Sequence, residues 1–340
     1  MENVFVIAEL SANHNQDINV ALKSIKAAKE AGASAVKIQT YTPDTITLNC
    51  DNEYFQIKQG TIWDGMTLYK LYEKAYTPWE WHEQLFDYAA QIGITLFSSP
   101  FDKTAVDFLE GLNNPIYKIA SFEITDIPLI EYVASKKKPI LISTGIATIG
   151  EIQEAIDVCR NVGNNDITLL KCTSSYPADP ADINLVTMNN MKKTFNVKVG
   201  LSDHTLGSAV AIGAVALGAE VIEKHFIIDK NIGGPDSSFS MEPNDFKKMI
   251  DEIRILEKAI GKIDYSLNEK AYNNRKFSRS LFITEDIKAG EIFTENNIRS
   301  VRPGYGISPK YLESIIGSIA IRDYRKGEPF NYPNYKLHNK

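Results

Sequence analysis

The sequence has few cysteines, no long apolar run and no excess of positive charge. Its three cysteines, Cys50, Cys159 and Cys172, are scattered and show no Cys-x-x-Cys spacing, which argues against a disulfide framework and a zinc knuckle. The amino terminus, MENVFVIAELSANHN, lacks a basic segment before its short apolar run. No stretch approaches the roughly 18 apolar residues of a membrane span. We therefore expect no signal peptide, no membrane partner and a location in the reducing cytoplasm.

The balance of charge limits the possible partners. The chain has 340 residues, of which 44% are hydrophobic and 24% charged, with a formal net charge of -6 and a pI near 5.5. This composition is that of a globular protein large enough for one main core and a small second domain. A net negative molecule repels nucleic acid, so no nucleic-acid partner is expected. An anionic substrate would require a local cluster of basic side chains.

Short β-branched runs recur at nearly even intervals and predict eight strands. They begin at Val4, Ala35, Ile94, Ile116, Pro139, Ile167, Val197 and Glu220. Most are separated by amphipathic helical patterns, as at 19–33, 78–93 and 150–163. Apolar strands alternating with helices are typical of parallel sheets, and eight such units predict an α/β fold of the (β/α)8 TIM barrel type. A doubly wound open sheet is the alternative, but no Gly-x-Gly-x-x-Gly follows the first strand to support it.

The pattern changes in three places. A long insertion follows the second strand at 40–76, and a Gly- and Ser-rich loop follows the eighth at 229–243. Both come after strand carboxyl ends, where barrel enzymes carry their active sites. After a barrel domain at 1–262, a polar segment at 263–280 is typical of a linker. Short strand and turn patterns then predict a small, β-rich second domain at 281–340.

Polar residues are concentrated where the predicted strands end. The candidates are Glu9, Lys37, Gln39, Ser99, Lys118, Ser121, Glu123, Lys171, Tyr176, Ser202, Asp203, His204, Glu223 and His225. Side chains two residues apart on a strand share a face, so Glu223 and His225 point the same way and Lys224 points away from them. Each residue alone is more often structural than functional. Their convergence from neighbouring strands indicates a site.

The two histidines suggest a metal site. His204 and His225 end strands seven and eight, which are neighbours in a barrel. Two imidazoles from adjacent strands can bind one divalent ion and leave positions open for water and substrate, as a catalytic metal requires. Nitrogen ligands with oxygen partners suit manganese, cobalt, iron or zinc. A single histidine at a strand end would more often be a hydrogen-bonded structural residue.

The lysines, hydroxyls and carboxylates indicate an anion pocket. Lys37 and Lys118 could bind a phosphorylated or carboxylated substrate, together with the hydroxyl groups of Ser99, Ser121 and Ser202. The carboxylates that could transfer protons beside that cluster are Glu9 and Glu123. Lys224 is interpreted as a structural residue because it alternates away from His225.

Nine motifs resemble the sialic acid (nonulosonate) synthase family. They are AELSANHN, VKIQTY, YKIASFE, STGIA, KCTSSYP, GLSDHTLG, EKHFIIDK, GGPDSSFSMEP and RPGYGISP, and they agree with the family in order and spacing from about residue 3 to 335. The resemblance implies a TIM barrel followed by a small antifreeze-like (SAF) domain. It also implies an enzyme that joins phosphoenolpyruvate to an acylamino sugar aldehyde and releases phosphate.

The resemblance also implies roles for individual residues. His204 and His225 match two ligands of a divalent ion, expected to be Mn²⁺, with Mg²⁺ or Co²⁺ as alternatives. Glu123 matches a candidate general base, with Glu9 as a second proton handler. The positions that match contacts to phosphoenolpyruvate are Lys37, Gln39, Ser99, Lys118, Ser121 and Ser202. Those that match contacts to the sugar are Tyr176, Asp236 and Phe277.

The tail implies a second subunit. Arg302, in the RPG motif, matches an arginine that the small domain of this family inserts into the barrel of the other subunit. The resemblance therefore implies a domain-swapped homodimer with composite sites. A guanidinium suits fixing an amide or hydroxyl group of a substrate.

Three departures bear on the sugar. Synthases that make N-acetylneuraminate have Asn where this chain has Ser174, Gly where it has Phe122 and His where it has Ser237. These changes resemble the branch of the family that makes pseudaminic acid from 2,4-diacetamido-2,4,6-trideoxy-L-altrose. A methyl group in place of a hydroxyl changes binding by only about 1 to 3 kcal/mol, so selectivity needs several contacts. A synthase for N-acetylneuraminate or legionaminate remains the alternative within the family.

Two further alternatives belong to other classes. A Schiff-base aldolase would use Lys118, Lys171 or Lys224 and would survive removal of metal. A non-enzymatic ice- or sugar-binding protein would place its whole function in the tail. This second alternative leaves the charged strand ends of the barrel unexplained.

Overall fold

The eight predicted strands form one closed parallel barrel. The computed structural model describes residues 3–58, 60, 63–331 and the backbone of 335–336. The barrel strands are β1 (Phe5–Glu9), β2 (Ala35–Thr40), β3 (Thr95–Pro100), β4 (Tyr117–Ile119), β5 (Ile140–Ser143), β6 (Ile167–Cys172), β7 (Lys198–Asp203) and β8 (Val221–His225). They pair in chain order, and β8 closes on β1 with Phe5 opposite Val221 and Glu9 opposite His225. The TIM barrel prediction is confirmed, and closure excludes the doubly wound open sheet.

Helices follow the strands. In the first unit they are α1 (Ile18–Glu30), α2 (Pro43–Ile46), α3 (Leu68–Ala75), α4 (His82–Ile92), α5 (Lys103–Gly111), α6 (Ile127–Ser135), α7 (Ile149–Asn161), α8 (Val186–Phe195), α9 (Ala209–Ala216) and α10 (Pro243–Ile260). Local sequence sets their ends. Asp17 caps α1 by accepting from the Asn19 N–H, and Thr148 with Glu151 forms a capping box at α7. Such caps satisfy N–H groups that have no partner within the helix.

Alternation along each strand separates two apolar layers. Inside the barrel, Ile7, Phe97, Leu141, Leu170 and Val221 form one buried cluster. The next residues along the strands face the helices and belong to the larger core. Because inward-facing positions repeat every second residue, the inward residues after the apolar layer occupy the carboxyl end of the barrel. These are the polar residues of the candidate site.

The two long loops lie at that same end. The insertion after β2 contains α2 and α3, and the Trp79 indole N–H near its end donates to the Tyr41 carbonyl at 3.0 Å. The loop after β8 returns to the barrel, where the Met241 N–H donates to the His225 carbonyl at 2.8 Å. Within the described residues, no helix is long and apolar enough to cross a membrane.

The contacts divide the chain into two units, Met1–Gly261 and Lys262–Lys340. In the second unit, the predicted linker at 263–280 contains α11 (Glu269–Asn274) and a 3-10 turn at Arg275–Phe277. The strands are β9 (Ser280–Ile283), β10 (Ile298–Val301), β11 (Ile319–Ala320) and β12 (Tyr335–Lys336), with the short helix α12 (Leu312–Ile315). Strand β9 pairs antiparallel with β10, and β11 with β12. A separate apolar core holds this unit together, and its buried residues include Leu281, Phe293, Ile298, Tyr324 and Phe330.

Candidate active site

Two lysines are buried at the carboxyl end of the barrel. Lys37 on β2 is 3% exposed and Lys118 on β4 is 2% exposed. A buried ammonium group is costly unless carboxylates and hydrogen-bond acceptors surround it. Lys37 receives both from the neighbouring strands β1 and β3, and β8 adds a carboxylate near both lysines.

Lys37 lies among three predicted site residues. Its Nζ is 2.8 Å from Glu9 Oε2 and donates to Ser99 Oγ at 3.2 Å. Gln39, two residues further along the same face of β2, donates to Glu9 Oε1 at 2.9 Å. Strands β1, β2 and β3 are neighbours, so barrel closure places these four side chains together as the sequence predicts.

Glu223 on β8 connects the two lysines. Its Oε1 accepts from Ser202 Oγ at 3.1 Å and lies 3.9 Å from Lys118 Nζ. Its Oε2 lies 3.8 Å from Lys37 Nζ. At these distances the carboxylate attracts both ammonium groups without a close hydrogen bond to either. Two carboxylates, Glu9 and Glu223, therefore balance the two lysine charges.

The site contains a tight corner near β5 and β6. Ser121 Oγ accepts from the Gly145 N–H at 3.3 Å. A Cβ atom on Gly145 would lie 2.2 Å from Ser174 Oγ, 2.8 Å from Ser121 Oγ and 3.2 Å from Cys172 Sγ. A side chain at this position would require the hydroxyl groups of Ser174 and Ser121 to move. Within the described part of the chain, the buried hydroxyls of Ser143 and Ser174 have no hydrogen-bond partner. This corner therefore has polar groups available to a ligand.

The two histidines face each other across β7 and β8. The ring centroids of His204 and His225 are 5.4 Å apart. Tyr176 lies beside them, 4.4 Å from His204 and 6.3 Å from His225 between ring centroids. Phe239, from the loop after β8, lies 5.0 Å from the His225 ring. Asp236 Oδ2 is 4.0 Å from His225 Nδ1.

The geometry of this histidine pair fits a divalent ion. His204 Nδ1 is 3.0 Å from the Thr173 carbonyl, and this contact leaves Nε2 with the lone pair that a metal needs. The His225 Nδ1 atom is buried and, among the described residues, has no hydrogen-bond partner. No group of three or more His, Cys, Asp and Glu side chains suited to a metal occurs in the part of the chain that the structure describes. The protein would thus contribute the two imidazoles, and the other positions would remain open.

Burial and charge set the pKa values of the carboxylates. Burial raises the pKa of Glu9, and the nearby Lys37 only partly offsets this effect. Burial also acts to raise the pKa of Glu223, but Lys118 and Lys37 outweigh it and hold that pKa below its ordinary value. Burial raises the pKa of Glu123 to about 7. The site therefore combines a stably ionised carboxylate with one that exchanges protons near neutrality.

Two of the predicted site residues, Phe277 and Arg302, lie in the second unit. Phe277 ends the 3-10 turn and is 69% exposed, and Arg302 follows β10. Their predicted roles remain predictions. In the first unit, Lys224 is on the outer face of β8, where its Nζ lies 2.7 Å from Asp203 Oδ2. This buried contact agrees with a structural role.

The sequence patterns assigned no site role to Cys172 or Ser143, whereas they placed Glu223 on the face of His225 as a candidate site residue. Cys172 Sγ lies 3.8 Å from His204 Nδ1. All three residues face inward near the ends of their strands, at β6, β5 and β8. Strict application of the two-residue alternation, which identified Glu223, would also have found Cys172 and Ser143.

A closed parallel barrel with buried lysines, carboxylates and a histidine pair at its carboxyl end defines the class: a TIM-barrel enzyme with a site for an anionic substrate. Comparisons with known proteins specify it further. Residues 24–265 match the NeuB family and residues 278–335 match the SAF domain. The chain belongs to the NeuB family.

Relatives match over nearly their whole length. A pseudaminic acid synthase of Helicobacter pylori is 50% identical, covering 96% of each chain. A pseudaminic acid synthase of Campylobacter jejuni is 49% identical, covering 98% of this chain and 97% of the relative. The crystal structure of an N-acetylneuraminic acid synthetase from Leptospira borgpetersenii, in complex with citrate, matches with a TM-score of 0.72 at 30% identity. That match covers 80% of this chain and 90% of the other.

Proposed function

We propose that the chain is a pseudaminic acid synthase. The reaction joins phosphoenolpyruvate, 2,4-diacetamido-2,4,6-trideoxy-L-altrose and water to give pseudaminic acid and phosphate. The observation that carries this proposal is identity of 49% and 50% to two pseudaminic acid synthases over nearly full length. The enzyme is a transferase that forms a carbon–carbon bond. The three free cysteines are in keeping with a cytoplasmic location.

Phosphoenolpyruvate would bind at the lysine cluster. Lys37 and Lys118 supply the positive charge, and the hydroxyls of Ser99, Ser121 and Ser202 supply neutral donors. Lys37 Nζ contacts Glu9 and Ser99, and Lys118 Nζ donates to the Ile119 carbonyl at 2.9 Å. Glu223, at 3.8 and 3.9 Å, makes no close hydrogen bond to either ammonium group, so each keeps N–H capacity for the anion. Gln39 acts on this site by holding Glu9. Fixed charges in a buried site stabilise developing charge more strongly than water does.

His204 and His225 would hold a divalent ion, with Mn²⁺ as the first choice and Mg²⁺ or Co²⁺ as alternatives. When bound there, the ion supplies Lewis acidity to the aldehyde oxygen of the sugar. The support is the pair of facing imidazoles and the buried, unused Nδ1 of His225 noted above. Metal binding can be measured directly by titration calorimetry. His225→Ala should abolish binding, while the exposed control Lys70→Ala should bind as the natural chain does.

The carboxylates would handle the proton. As C3 of phosphoenolpyruvate bonds to the aldehyde carbon, positive character develops at C2, and water adds there. Glu123, with a pKa of about 7, can accept the proton that this water loses. The carbon–oxygen bond to phosphate then breaks, and phosphate leaves with its electron pair. The C2 hydroxyl loses its proton to become the keto group, and the former aldehyde oxygen takes up one proton to become a hydroxyl. Glu9, paired with Lys37, orients the site or serves as the second proton handler.

The sugar would lie on the side of the histidines. Tyr176 and Asp236 border that side, at the distances given above. Phe277 and Arg302 would add contacts from the second unit, with Arg302 reaching the barrel of the other subunit in a domain-swapped homodimer. Deleting residues 281–340 should therefore reduce sugar turnover while leaving metal binding by the barrel measurable.

A substrate panel tests the proposal. The purified enzyme is offered phosphoenolpyruvate with the altrose sugar, with N-acetylmannosamine or with the legionaminate precursor, and phosphate release is measured. We expect turnover with the altrose sugar alone, and none after chelation of the metal. Equal turnover of N-acetylmannosamine would reject the assignment of the sugar. Full activity of metal-free enzyme, with trapping of a lysine adduct by borohydride, would instead support the Schiff-base alternative.

A further inference from the structure

A second cavity lies beside the histidine pair, between the insertion after β2 and the loop after β8. Its volume is about 580 Å³, and its walls include Asn15, Gln16, Trp63, Met66, Leu71 and Ser237. This volume is in the range of small-molecule pockets, about 300 to 1,000 Å³. The roles assigned above to the two lysines, the carboxylates and the histidines do not use it.

The cavity continues outward from the candidate sugar site. The loop residues directly before and after Asp236, Pro235 and Ser237, both line it. The Trp63 indole N–H donates to the Pro235 carbonyl at 3.2 Å. The Trp63 ring lies 5.8 Å from the Tyr176 ring, which in turn lies 4.4 Å from His204. A ligand whose reactive end is at the histidines can therefore reach the cavity with its other end.

The walls combine apolar surface with hydrogen-bond acceptors. Trp63, Met66 and Leu71 form the apolar part. Gln16 donates through Nε2 to the Tyr76 carbonyl at 2.7 Å, and Asn15 donates through Nδ2 to the Ile232 carbonyl at 3.2 Å. The amide oxygens of these two side chains are therefore left to accept hydrogen bonds from a ligand. The exposed side chains of Glu73 and Lys74 also line the cavity, and the Glu73 carboxylate is a further acceptor.

A secondary amide with a methyl group matches these walls. Its methyl group suits the apolar part, and its N–H suits an acceptor oxygen. A hydroxyl group would leave the apolar part without a partner. We propose, building on the function proposed above, that this cavity binds the acylamino group of the sugar that is remote from the aldehyde, and that Trp63 and Met66 select for it. The insertion at 40–76 then sets sugar specificity.

The test compares two sugars. One is the diacetamido sugar, and the other is its analogue with a hydroxyl in place of the remote acetamido group. The ratio of their kcat/KM values in the natural chain should be about 10 to 100, since a change of this size in a pocket alters binding by about 1 to 3 kcal/mol. Met66→Ala and Trp63→Ala should each lower this ratio at least threefold. The KM for phosphoenolpyruvate should change less than twofold.

Two variants make the test specific. Met66→Ala leaves the Trp63 hydrogen bond to the loop in place, so its effect does not depend on movement of that loop. Lys70→Ala, exposed on α3 and outside the cavity walls, is the matched control and should keep the full ratio. An unchanged ratio in both cavity variants, or an equal loss with both sugars, would overturn the inference without overturning the proposed function. No turnover of the diacetamido sugar by the natural chain would overturn the proposed function itself.

Discussion

Two buried groups of lysines and carboxylates lie on opposite faces of β8. On the outer face, Lys224 Nζ is 2.7 Å from Asp203 Oδ2 and donates to the Thr205 carbonyl at 2.7 Å. The other oxygen of Asp203 accepts from the Thr205 N–H at 2.9 Å. On the inner face, Glu223 lies 3.8 and 3.9 Å from Lys37 and Lys118.

The two groups differ in how fully their polar atoms are hydrogen-bonded within the protein. The outer pair uses its donors and acceptors within the protein, as a structural pair does. The inner group has one close pair, Lys37 with Glu9 at 2.8 Å, and the two longer ion pairs of Glu223. The site around it also contains buried polar atoms that, over the described residues, have no hydrogen-bond partner, including Ser143 Oγ and Glu123 Oε2. Such atoms are costly to bury unless a ligand satisfies them. Lysine–carboxylate pairs therefore stabilise the fold on one face of the strand and prepare a site on the other.

Breaking the outer pair should have the largest effect on stability. Lys224→Met leaves the Asp203 carboxylate buried without its partner, which costs about 3 to 5 kcal/mol. We expect the free energy of unfolding in urea to fall by that amount. The control is Lys198→Met, whose exposed pair with Asp166 contributes no more than about 1 kcal/mol. Equal stability of the two variants would contradict the structural role of Lys224.

Breaking the inner group should act mainly on activity. Lys118→Met removes one of the two ammonium groups, and kcat/KM for phosphoenolpyruvate should fall about 10² to 10³-fold. Its stability loss should be smaller than that of Lys224→Met, because Glu223 retains Lys37 and Ser202 as partners. Initial rates and urea unfolding of the same preparations check both parts. Activity within tenfold of the natural chain would remove Lys118 from the site.

Glu123 should link activity and stability to pH. Since its pKa is raised from 4.5 to about 7, the folded state keeps a proton that the unfolded chain has lost. Stability should therefore fall as pH rises from about 4.5 to 7, by about 3 kcal/mol in total. If Glu123 is the base, activity should rise over pH values around 7.

The variant Glu123→Gln should lose the pH dependence of both stability and activity. Unfolding and kcat are measured across this pH range, with Glu131→Gln, exposed on α6, as the control that keeps the natural profiles. A pH–rate profile that stays the same in Glu123→Gln would assign the proton transfer to another group, with Glu9 as the next candidate.

The smallest effect is expected from a substitution at Gly145, in the tight corner of the candidate site near β5 and β6. Gly145→Ala places a Cβ atom 2.2 Å from Ser174 Oγ, so that hydroxyl must rotate away. Overpacking of this kind costs about 1 to 3 kcal/mol, and we expect a weakening of phosphoenolpyruvate binding of about tenfold. Adding Ser174→Ala should restore part of the loss. The control is Gly111→Ala, where a Cβ atom meets nothing within 4 Å. An equal KM for phosphoenolpyruvate in both variants would contradict the close packing around Gly145.

Much of the fold could be predicted because its signals are local. The eight β-branched runs correspond to β1 to β8 within one or two residues, and the helical patterns at 19–33 and 150–163 correspond to α1 and α7. Strand periodicity and helix caps depend on neighbours in the chain. The bounds of the linker were harder to predict, since the polar segment after Gly261 includes the short helix α11.

The candidate site was predicted in part. Motifs and alternation identified Lys37, Lys118, His204 and His225, and the barrel places them at one end. The cavity beside Trp63 could not be predicted, because it depends on a contact with Pro235, 172 residues further along the chain. The distances from Glu223 to Lys37 and Lys118 could not be predicted either, because they depend on contacts between distant segments of the chain.

The order of residues along each strand is enough to specify which side chains face inward, because successive side chains point to opposite faces. This alternation alone separates Glu223 and His225 from Lys224. Which of the inward residues meet depends instead on the folded barrel. Closure of β8 on β1 brings Glu223 to Lys37 and Lys118, from strands far apart in the chain. Such contacts require the register and closure of the whole barrel, which no single segment encodes.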